Sequence, residues 1–181
     1  MAAAFLTAIL KTTFQSWAKN PSSLEILAKY MNSTLLNLIP VGNFAAVFIA
    51  KYDVANRRLD YINCGHQPEP WNIPGETNKS ISTLCDARNM IMGVSADLNI
   101  VKSSLNLAKG DTLLFVSDGV TENMNIDDEL YGEEKLESVI REKRNFEVEK
   151  LVEIINLQAQ NFPEHVVQSD DRTILGFKIK T

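Results

Sequence analysis

Two acidic segments of the sequence could together hold a divalent cation. Asp118 lies in the run SDGVTE, at the end of an apolar stretch, and Asp170 lies in the run SDDRT, before the last apolar stretch. If these stretches are neighbouring antiparallel strands, the end of one lies beside the start of the other, and the carboxylates can converge. Carboxylates held close together repel unless they share a cation or a proton. Oxygen donors favour hard ions such as Mg²⁺ or Mn²⁺.

A purely structural interpretation of the same residues stays open. Asp-Gly and Asp-Asp are common turn sequences, and every strand must end somewhere. The loop after Asp118 is acidic, and it is either a solvated surface or a loop that shapes a substrate surface beside a metal. Its acidic residues are Glu122, Asp127, Asp128 and Glu129.

The sequence offers no residue that we assign as a catalytic nucleophile. His66 lies in the Gly/Pro-rich run NCGHQPEP, where we expect a structural or peripheral role. No Ser-His-Asp or Cys-His arrangement has supporting context. The phosphate-binding patterns GxGxxG and GxxxxGK[ST] do not occur.

Composition limits the class of protein. The 181 residues fit one domain, so residues 1–181 are predicted to form a single domain. A net charge of −5 gives no electrostatic case for binding nucleic acid or an anionic membrane. Cys64 and Cys85 form no CxxC pair, and we expect two reduced thiols in a cytoplasmic protein. No apolar run approaches the ~20 residues that span a bilayer, so we expect no membrane insertion.

Hydrophobic periodicity predicts a helix pair, a group of strands, a second helix pair and a final strand. The predicted helices cover 2–19, 23–38 and segments near 131–140 and 148–162. The predicted strands cover 44–52, 58–63, 71–73, 81–84, 98–107, 112–117 and 172–180. Because βαβ alternation is missing, a parallel doubly wound sheet is disfavoured. We predict an α+β fold in which helices cover antiparallel sheets.

Local patterns predict burial and turn conformation at three places. Residues 44–52 are almost continuously apolar, as expected of a strand buried on both faces. Asn56, in the turn of the predicted hairpin, is a candidate for the left-handed conformation. In the last strand, one face is predicted to be covered and the other to be wetter. The covered face has Thr173, Leu175, Phe177 and Ile179, and the wetter face has Arg172, Gly176, Lys178 and Lys180.

Six segments, in order along almost the whole chain, resemble motifs of one family. They are AAAFLTAILKTTFQ, RLDYINCGHQPEP, MIMGV, KGDTLLFVSDGVTENMN, YGEEKL and SDDRTILGFKI. Together they resemble the SpoIIE/RsbU-type branch of the bacterial PPM (type 2C-like) Ser/Thr protein phosphatases. In KGDTLLFVSDGVTENMN the family usually has proline at Lys109, and in RLDYINCGHQPEP it has alanine at Cys64.

The resemblance implies a fold and a reaction. The fold is a four-layer α-β-β-α arrangement, two stacked antiparallel sheets with helices on the outer faces. Two Mn²⁺ or Mg²⁺ ions in the complete family site would activate a water that attacks the phosphorus of phosphoserine or phosphothreonine. The substrate would be a phosphorylated bacterial regulator such as an anti-sigma-factor antagonist, and an upstream sensor domain would control the enzyme.

The resemblance also implies roles for individual residues. Asp118 matches the metal-binding aspartate of the family's D-G-V, and Asp170 matches the metal-binding first aspartate of D-D-x-T. Asp171 is then a neighbour that tunes the site, and Gly119 lets the backbone turn closely past it. Glu122 lies where the family has a segment for switching and substrate contact.

The sequence departs from the family in its metal ligands. Neither G-D-x-x-D nor D-x-S-G-H-G, which supply the bridging aspartate and a glycine carbonyl, occurs in the 181 residues. The simplest expectation is a domain truncated at the N-terminus, which lacks the first strands and leaves sheet edges unpaired. Two carboxylates alone would bind one ion weakly, because water must fill most of a six-coordinate shell.

Two other interpretations stay open at this point. The chain could be a non-catalytic binding module with the phosphatase fold, which the reading frame upstream of Met1 would help to decide. Alternatively, the motifs mark only the fold, with Asp118 and Asp170 as turn residues. In that case Mn²⁺ titration would give the same heat for the wild type and a double alanine variant.

Overall fold

The computed structural model describes residues 3–19, 21, 23–40, 42–162 and 171–180. In chain order the elements are α1 (Ala3–Lys19), α2 (Leu24–Leu38), β1 (Val47–Asp53), β2 (Arg58–Cys64), β3 (Trp71–Ile73), β4 (Ser82–Thr83), β5 (Arg88–Asn89), β6 (Ser103–Asn106), β7 (Thr112–Val116), α3 (Asp118–Thr121), α4 (Gly132–Lys143), α5 (Val148–Asn161) and β8 (Ile174–Lys178). The chain forms two compact units, Met1–His66 with Cys85–Leu107, and Gln67–Leu84 with Ala108–Thr181.

The first unit packs a helix pair on a sheet centred on β2. Strands β1 and β6 pair antiparallel with β2, and the short β5 pairs parallel with it. The Ser23 hydroxyl accepts the Ile26 N–H at 3.2 Å, so this residue caps α2. The core joins one face of α2 to the sheet; its α2 members are Leu24, Leu27, Ala28, Met31 and Leu35.

The β1–β2 hairpin is confirmed, but two details predicted for it are wrong. Arg57, not Asn56, has the positive φ of 50°. Asn56 instead donates from its backbone and side-chain nitrogens to the Asp53 carboxylate, at 3.1 and 2.7 Å. Within β1 only Ile49 is buried, and the strand pairs with β2 alone among the residues that the structure covers.

The second unit is an antiparallel sheet covered by helices. Its strand order is β4-β3-β7-β8, with β7 between β3 and β8. One sheet face forms a core with α4 and α5, and its strand members are Trp71, Ile73, Leu114 and Val116. β7 therefore lies in a central position with its inward residues fully covered, and a strand was predicted at 112–117.

Within β8, the face predicted to be covered is the wrong one. Leu175 and Phe177 are 58% and 43% exposed, whereas Ile179, which follows β8, is buried. The opposite face approaches α5 so closely that a Cβ added at Gly176 would lie 2.2 Å from Val148 Cγ2. The missing side chain of one glycine thus decides which face the helix covers, and an alternation of apolar residues does not encode that.

The start of β7 is fixed by a buried carboxylate. Asp111 accepts the Gly75 N–H at 2.9 Å and the Ala108 N–H at 2.7 Å. Gly110, with φ of 94°, makes the turn before it. A Cβ at Gly75 would meet the Gly110 backbone at 2.7 Å, so only glycine permits this close approach.

The α+β class with antiparallel sheets is confirmed, with five helices in the part of the chain that is described. The parallel β2–β5 pair of two residues is an addition that the sequence did not indicate. No helix among these residues has the length and apolar character needed to cross a bilayer. The single-domain assignment of 1–181 stays a prediction.

Candidate functional site

Asp118 lies where a buried strand turns into a short helix. Strand β7 ends at Val116, Ser117 occupies the N-cap position, and α3 begins at Asp118. The Asp118 side chain is exposed, and its Oδ1 accepts the Gly119 N–H at 2.9 Å. The carboxylate is thus presented at the end of a rigid strand.

The prediction that the two acidic segments lie close together depends on the pairing of β7 with β8. The two strands are antiparallel, with Val116 opposite Ile174. One step further, the Ser117 N–H donates to the Thr173 carbonyl at 2.9 Å. The segment that begins at Asp171 therefore runs beside the residue that precedes Asp118. Asp170 itself lies outside the described residues.

Two other predicted site residues belong to the turn after Asp118. Gly119 is buried within α3. Glu122 is exposed and caps the C-terminal end of α3, where its N–H donates to the Asp118 carbonyl at 2.7 Å. The backbone of Asp118 is thus held by Glu122, whereas the Glu122 side chain is on the surface.

His66 belongs to the first compact unit, whereas Asp118, Gly119, Glu122 and Asp171 belong to the second. The Asn63 side chain holds the His66 backbone, accepting its N–H at 2.8 Å and donating to its carbonyl at 3.0 Å. The imidazole lies edge-on to Phe48, with ring centroids 6.2 Å apart. These contacts hold His66 just after the end of β2, and its structural or peripheral role stays a prediction.

The sequence did not reveal that residues near both acidic segments hydrogen-bond to the end of α5. The buried Asn123 amide donates to the Ala159 carbonyl, and Arg172 Nη1 donates to the same carbonyl at 3.4 Å. Asn123 follows Asp118 by five residues, and Arg172 follows Asp171. An asparagine at a loop position was the available signal, but its partner is 36 residues away.

The donor chemistry suits a hard divalent ion, but the donor count is incomplete. Asp118 supplies a carboxylate of the type that Mg²⁺ and Mn²⁺ prefer. Among the residues that the structure describes, no group of three or more His, Cys, Asp and Glu side chains could hold an ion. We therefore derive no catalytic step through a metal from these residues.

Solved structures identify the fold as that of PP2C-type phosphatases. The SiaA PP2C domain of Pseudomonas aeruginosa matches with a TM-score of 0.82 at 14% identity, over 98% of this chain and 70% of that chain. The catalytic domain of the serine/threonine protein phosphatase PstP, in complex with two manganese ions, matches with a TM-score of 0.66 at 9% identity. That match covers 98% of this chain and 82% of that catalytic-domain chain.

The family follows from the sequence. The protein-family model described as Stage II sporulation protein E (SpoIIE) matches residues 1–180, and the chain belongs to this family. The phosphoserine phosphatase RsbU of Bacillus subtilis (strain 168) is 24% identical over 181 residues. The match covers 98% of this chain and 52% of RsbU, so the chain spans about half the length of that relative. The predicted SpoIIE/RsbU-type PPM phosphatase family is confirmed.

Proposed function

We propose that the chain is part of a metal-dependent protein serine/threonine phosphatase of bacterial signalling. Its substrate class would be a phosphorylated regulatory protein of the anti-sigma-factor antagonist type. The proposal is supported by membership of the SpoIIE family and by relatives named as phosphoserine phosphatases. An upstream sensor domain and a cytoplasmic location belong to the same proposal.

The observation that carries the proposal is the junction of β7 and β8. There Ser117, which precedes Asp118, donates its N–H to the Thr173 carbonyl, and this pairing supports a shared carboxylate site. We assign Asp118 and Asp170 as ligands for Mn²⁺ or Mg²⁺. When bound, such an ion supplies a water of lowered pKa and a positive charge opposite the phosphate. Gly119, Glu122 and Asp171 are assigned to the surroundings of the site, and His66 to a peripheral position.

The test is Mn²⁺-dependent release of phosphate by the product of the complete reading frame that contains this sequence. The substrates are a phosphoserine peptide and p-nitrophenyl phosphate. We expect Asp118→Asn to reduce turnover more than about 100-fold, because even outer-sphere partners of a metal contribute 10–100-fold. Glu134→Gln is the matched control, since it removes one exposed carboxylate from α4 in the same unit.

Two results would count against the proposal. Equal turnover by Asp118→Asn and Glu134→Gln would show that Asp118 is not a metal ligand. If the wild-type product released no phosphate from either substrate at saturating Mn²⁺, a non-catalytic binding module would be the better description.

A further inference from the structure

Three large apolar side chains are exposed to solvent on the loop of residues 122–131, which joins α3 to α4. Ile126 is 69% exposed, and Met124 and Leu130 are 41% and 48% exposed. Met124 and Leu130 are antiparallel bridge partners, so their Cβ atoms lie close together. Exposed apolar side chains that lie together inside a polar rim are typical of interaction sites.

Hydrogen bonds hold the 122–131 loop in one shape, so it does not fold over these side chains. Asn125 Oδ1 accepts the N–H groups of Asp127 and Glu129, at 3.0 and 2.8 Å. The Asn125 N–H donates to the Glu129 carbonyl at 2.9 Å. Asp128 completes the turn with φ of 61°, a conformation that aspartate adopts more readily than most residues.

Both ends of the loop are anchored to the core of the second unit. The buried Asn123 amide donates to the Ala159 carbonyl, and the Asn123 carbonyl accepts the Tyr131 N–H at 2.7 Å. The buried Tyr131 ring lies edge-on to Phe162, with centroids 5.5 Å apart, and its hydroxyl donates to Gln158 at 3.3 Å. A surface that is ordered before a partner arrives loses less conformational entropy on binding.

The charge around the apolar side chains has one sign. The net charge of the chain is −5, but the segment from Asp118 to Glu134 holds seven carboxylates and no Lys, Arg or His, so the remaining residues together carry +2. No carboxylate of the loop forms an ion pair with a described residue, whereas Glu137 and Glu153 of the neighbouring helices do. The field of these unpaired carboxylates attracts a cationic partner and repels an acidic one.

We propose that the 122–131 loop is a docking surface for a basic segment of the phosphoprotein substrate that also carries apolar side chains. The proposal rests on the proposed phosphatase function, and the loop begins four residues after Asp118. Met124, Ile126 and Leu130 contact the apolar side chains of the segment, and the carboxylates around them pair with its Lys or Arg residues. An apolar centre inside a polar rim is the usual anatomy of a protein interface. The alternative is a solvated loop that binds nothing.

The first test measures binding without catalysis. The product of the complete reading frame is titrated into a fluorescein-labelled, unphosphorylated peptide of alternating Lys-Lys and Leu-Leu pairs, and fluorescence anisotropy reports binding. Matched peptides carry Glu in place of Lys, or Ser in place of Leu. We expect the Lys/Leu peptide to bind at least about 10-fold more tightly than either matched peptide. Its advantage over the Glu/Leu peptide should shrink at 1 M salt, where the screening length is about 3 Å.

Two variants remove the two kinds of contact. Ile126→Ser removes the most exposed of the three apolar side chains and should weaken binding of the Lys/Leu peptide about 10-fold. Asp127→Asn/Asp128→Asn removes two charges and should weaken it about three- to tenfold at low salt. Asparagine also tolerates the positive φ of Asp128, so the turn is kept.

Matched controls come from the other end of the same helix pair. Phe146→Ser removes an exposed aromatic ring between α4 and α5, and Glu142→Gln/Glu149→Gln removes two exposed carboxylates there. We expect both controls to bind the Lys/Leu peptide like the wild type. If the two loop variants bind it as tightly as the controls do, the docking role is wrong.

Hydrolysis separates failure of this proposal from failure of the proposed function. For a phosphoserine peptide extended by the Lys/Leu sequence, kcat/KM should be about 10-fold higher than for the unextended peptide in the wild type and in both controls. The two values should be nearly equal in Ile126→Ser. Phosphate release with the same ratio in all variants would overturn the docking surface and keep the phosphatase. Loop-dependent binding without phosphate release from any substrate would overturn the phosphatase and leave a surface that binds a basic partner only.

Discussion

At the scale of single residues, Cys64 is a fully buried thiol at the end of β2. Burial raises the pKa of this thiol from 9.0 to about 11, because the thiolate would lose its hydration in the apolar core of the first unit. Between these two values the native protein keeps the thiol proton while the unfolded chain loses it.

The free energy of unfolding should therefore fall as the pH rises from 9 to 11. The unfolded state binds fewer protons in this window, so the native state loses stability, by at most about 3 kcal/mol. Below pH 9 the thiol is protonated in both states, so it does not make the free energy of unfolding depend on pH. Denaturant unfolding at several pH values should show a shallower decline for Cys64→Ala. If the free energy of unfolding fell equally with pH in the wild type and Cys64→Ala, the raised pKa of Cys64 would be contradicted.

Residue types alone indicated Asp118 but not the hydrogen bonds of the residue before it. An aspartate after an apolar stretch can be recognised in a sequence, because both its type and its place are local. The Ser117 hydroxyl accepts the Thr173 N–H, but Thr173 is 56 residues away in sequence and comes close only through strand pairing. Similarly, the left-handed conformation was expected at Asn56. Asn56 instead hydrogen-bonds to Asp53, and Arg57 has the positive φ.

At the scale of elements, the contact between α5 and β8 depends on Gly176. A Cβ there would lie 2.2 Å from Val148 Cγ2 and 3.1 Å from Val152 Cγ2. Both neighbours are β-branched and have few alternative rotamers in a helix. The helix and strand thus pack at a distance that only glycine allows.

Gly176→Ala should destabilise the protein by about 1–3 kcal/mol through overpacking, although alanine is the better strand residue. Val148→Ala removes the nearest methyl groups, so Gly176→Ala should be much less harmful in that background. Urea unfolding of the two single variants and the double variant would give a coupling energy of about 0.5–3 kcal/mol. If the two substitutions changed the free energy of unfolding additively, α5 would move away from β8 without a clash.

The elements themselves were predicted well where the pattern is long, and less well where it is short. Both helix pairs, the β1–β2 hairpin and β7 lie within a few residues of their predicted positions. The two-residue β5 was missed because it is defined only by pairing with Asn63 and Cys64. The covered face of β8 was wrong because the packing of α5, rather than the strand's own alternation, decides it.

At the scale of the whole molecule, the comparisons show the fold and the family. The family match covers residues 1–180, whereas the chain corresponds to 52% of RsbU. Six ordered motifs were enough to predict the family, because their spacing along the chain constrains it more than any one motif does. The activity of a complete protein depends on all of its ligands, and these 181 residues contain only two of the predicted positions.

The ligand count leads to a prediction for the 181 residues by themselves. With Asp118 and Asp170 as the predicted carboxylate ligands, water would fill most of the coordination shell, and Mn²⁺ would bind weakly. We expect slow hydrolysis of p-nitrophenyl phosphate by this chain at millimolar Mn²⁺, measured as nitrophenolate release. Rapid Mn²⁺-dependent turnover by these residues, abolished by Asp118→Asn but not by Glu134→Gln, would contradict the prediction. It would mean that the described fold recruits further oxygen ligands, from side chains, backbone carbonyls or a second copy of the chain.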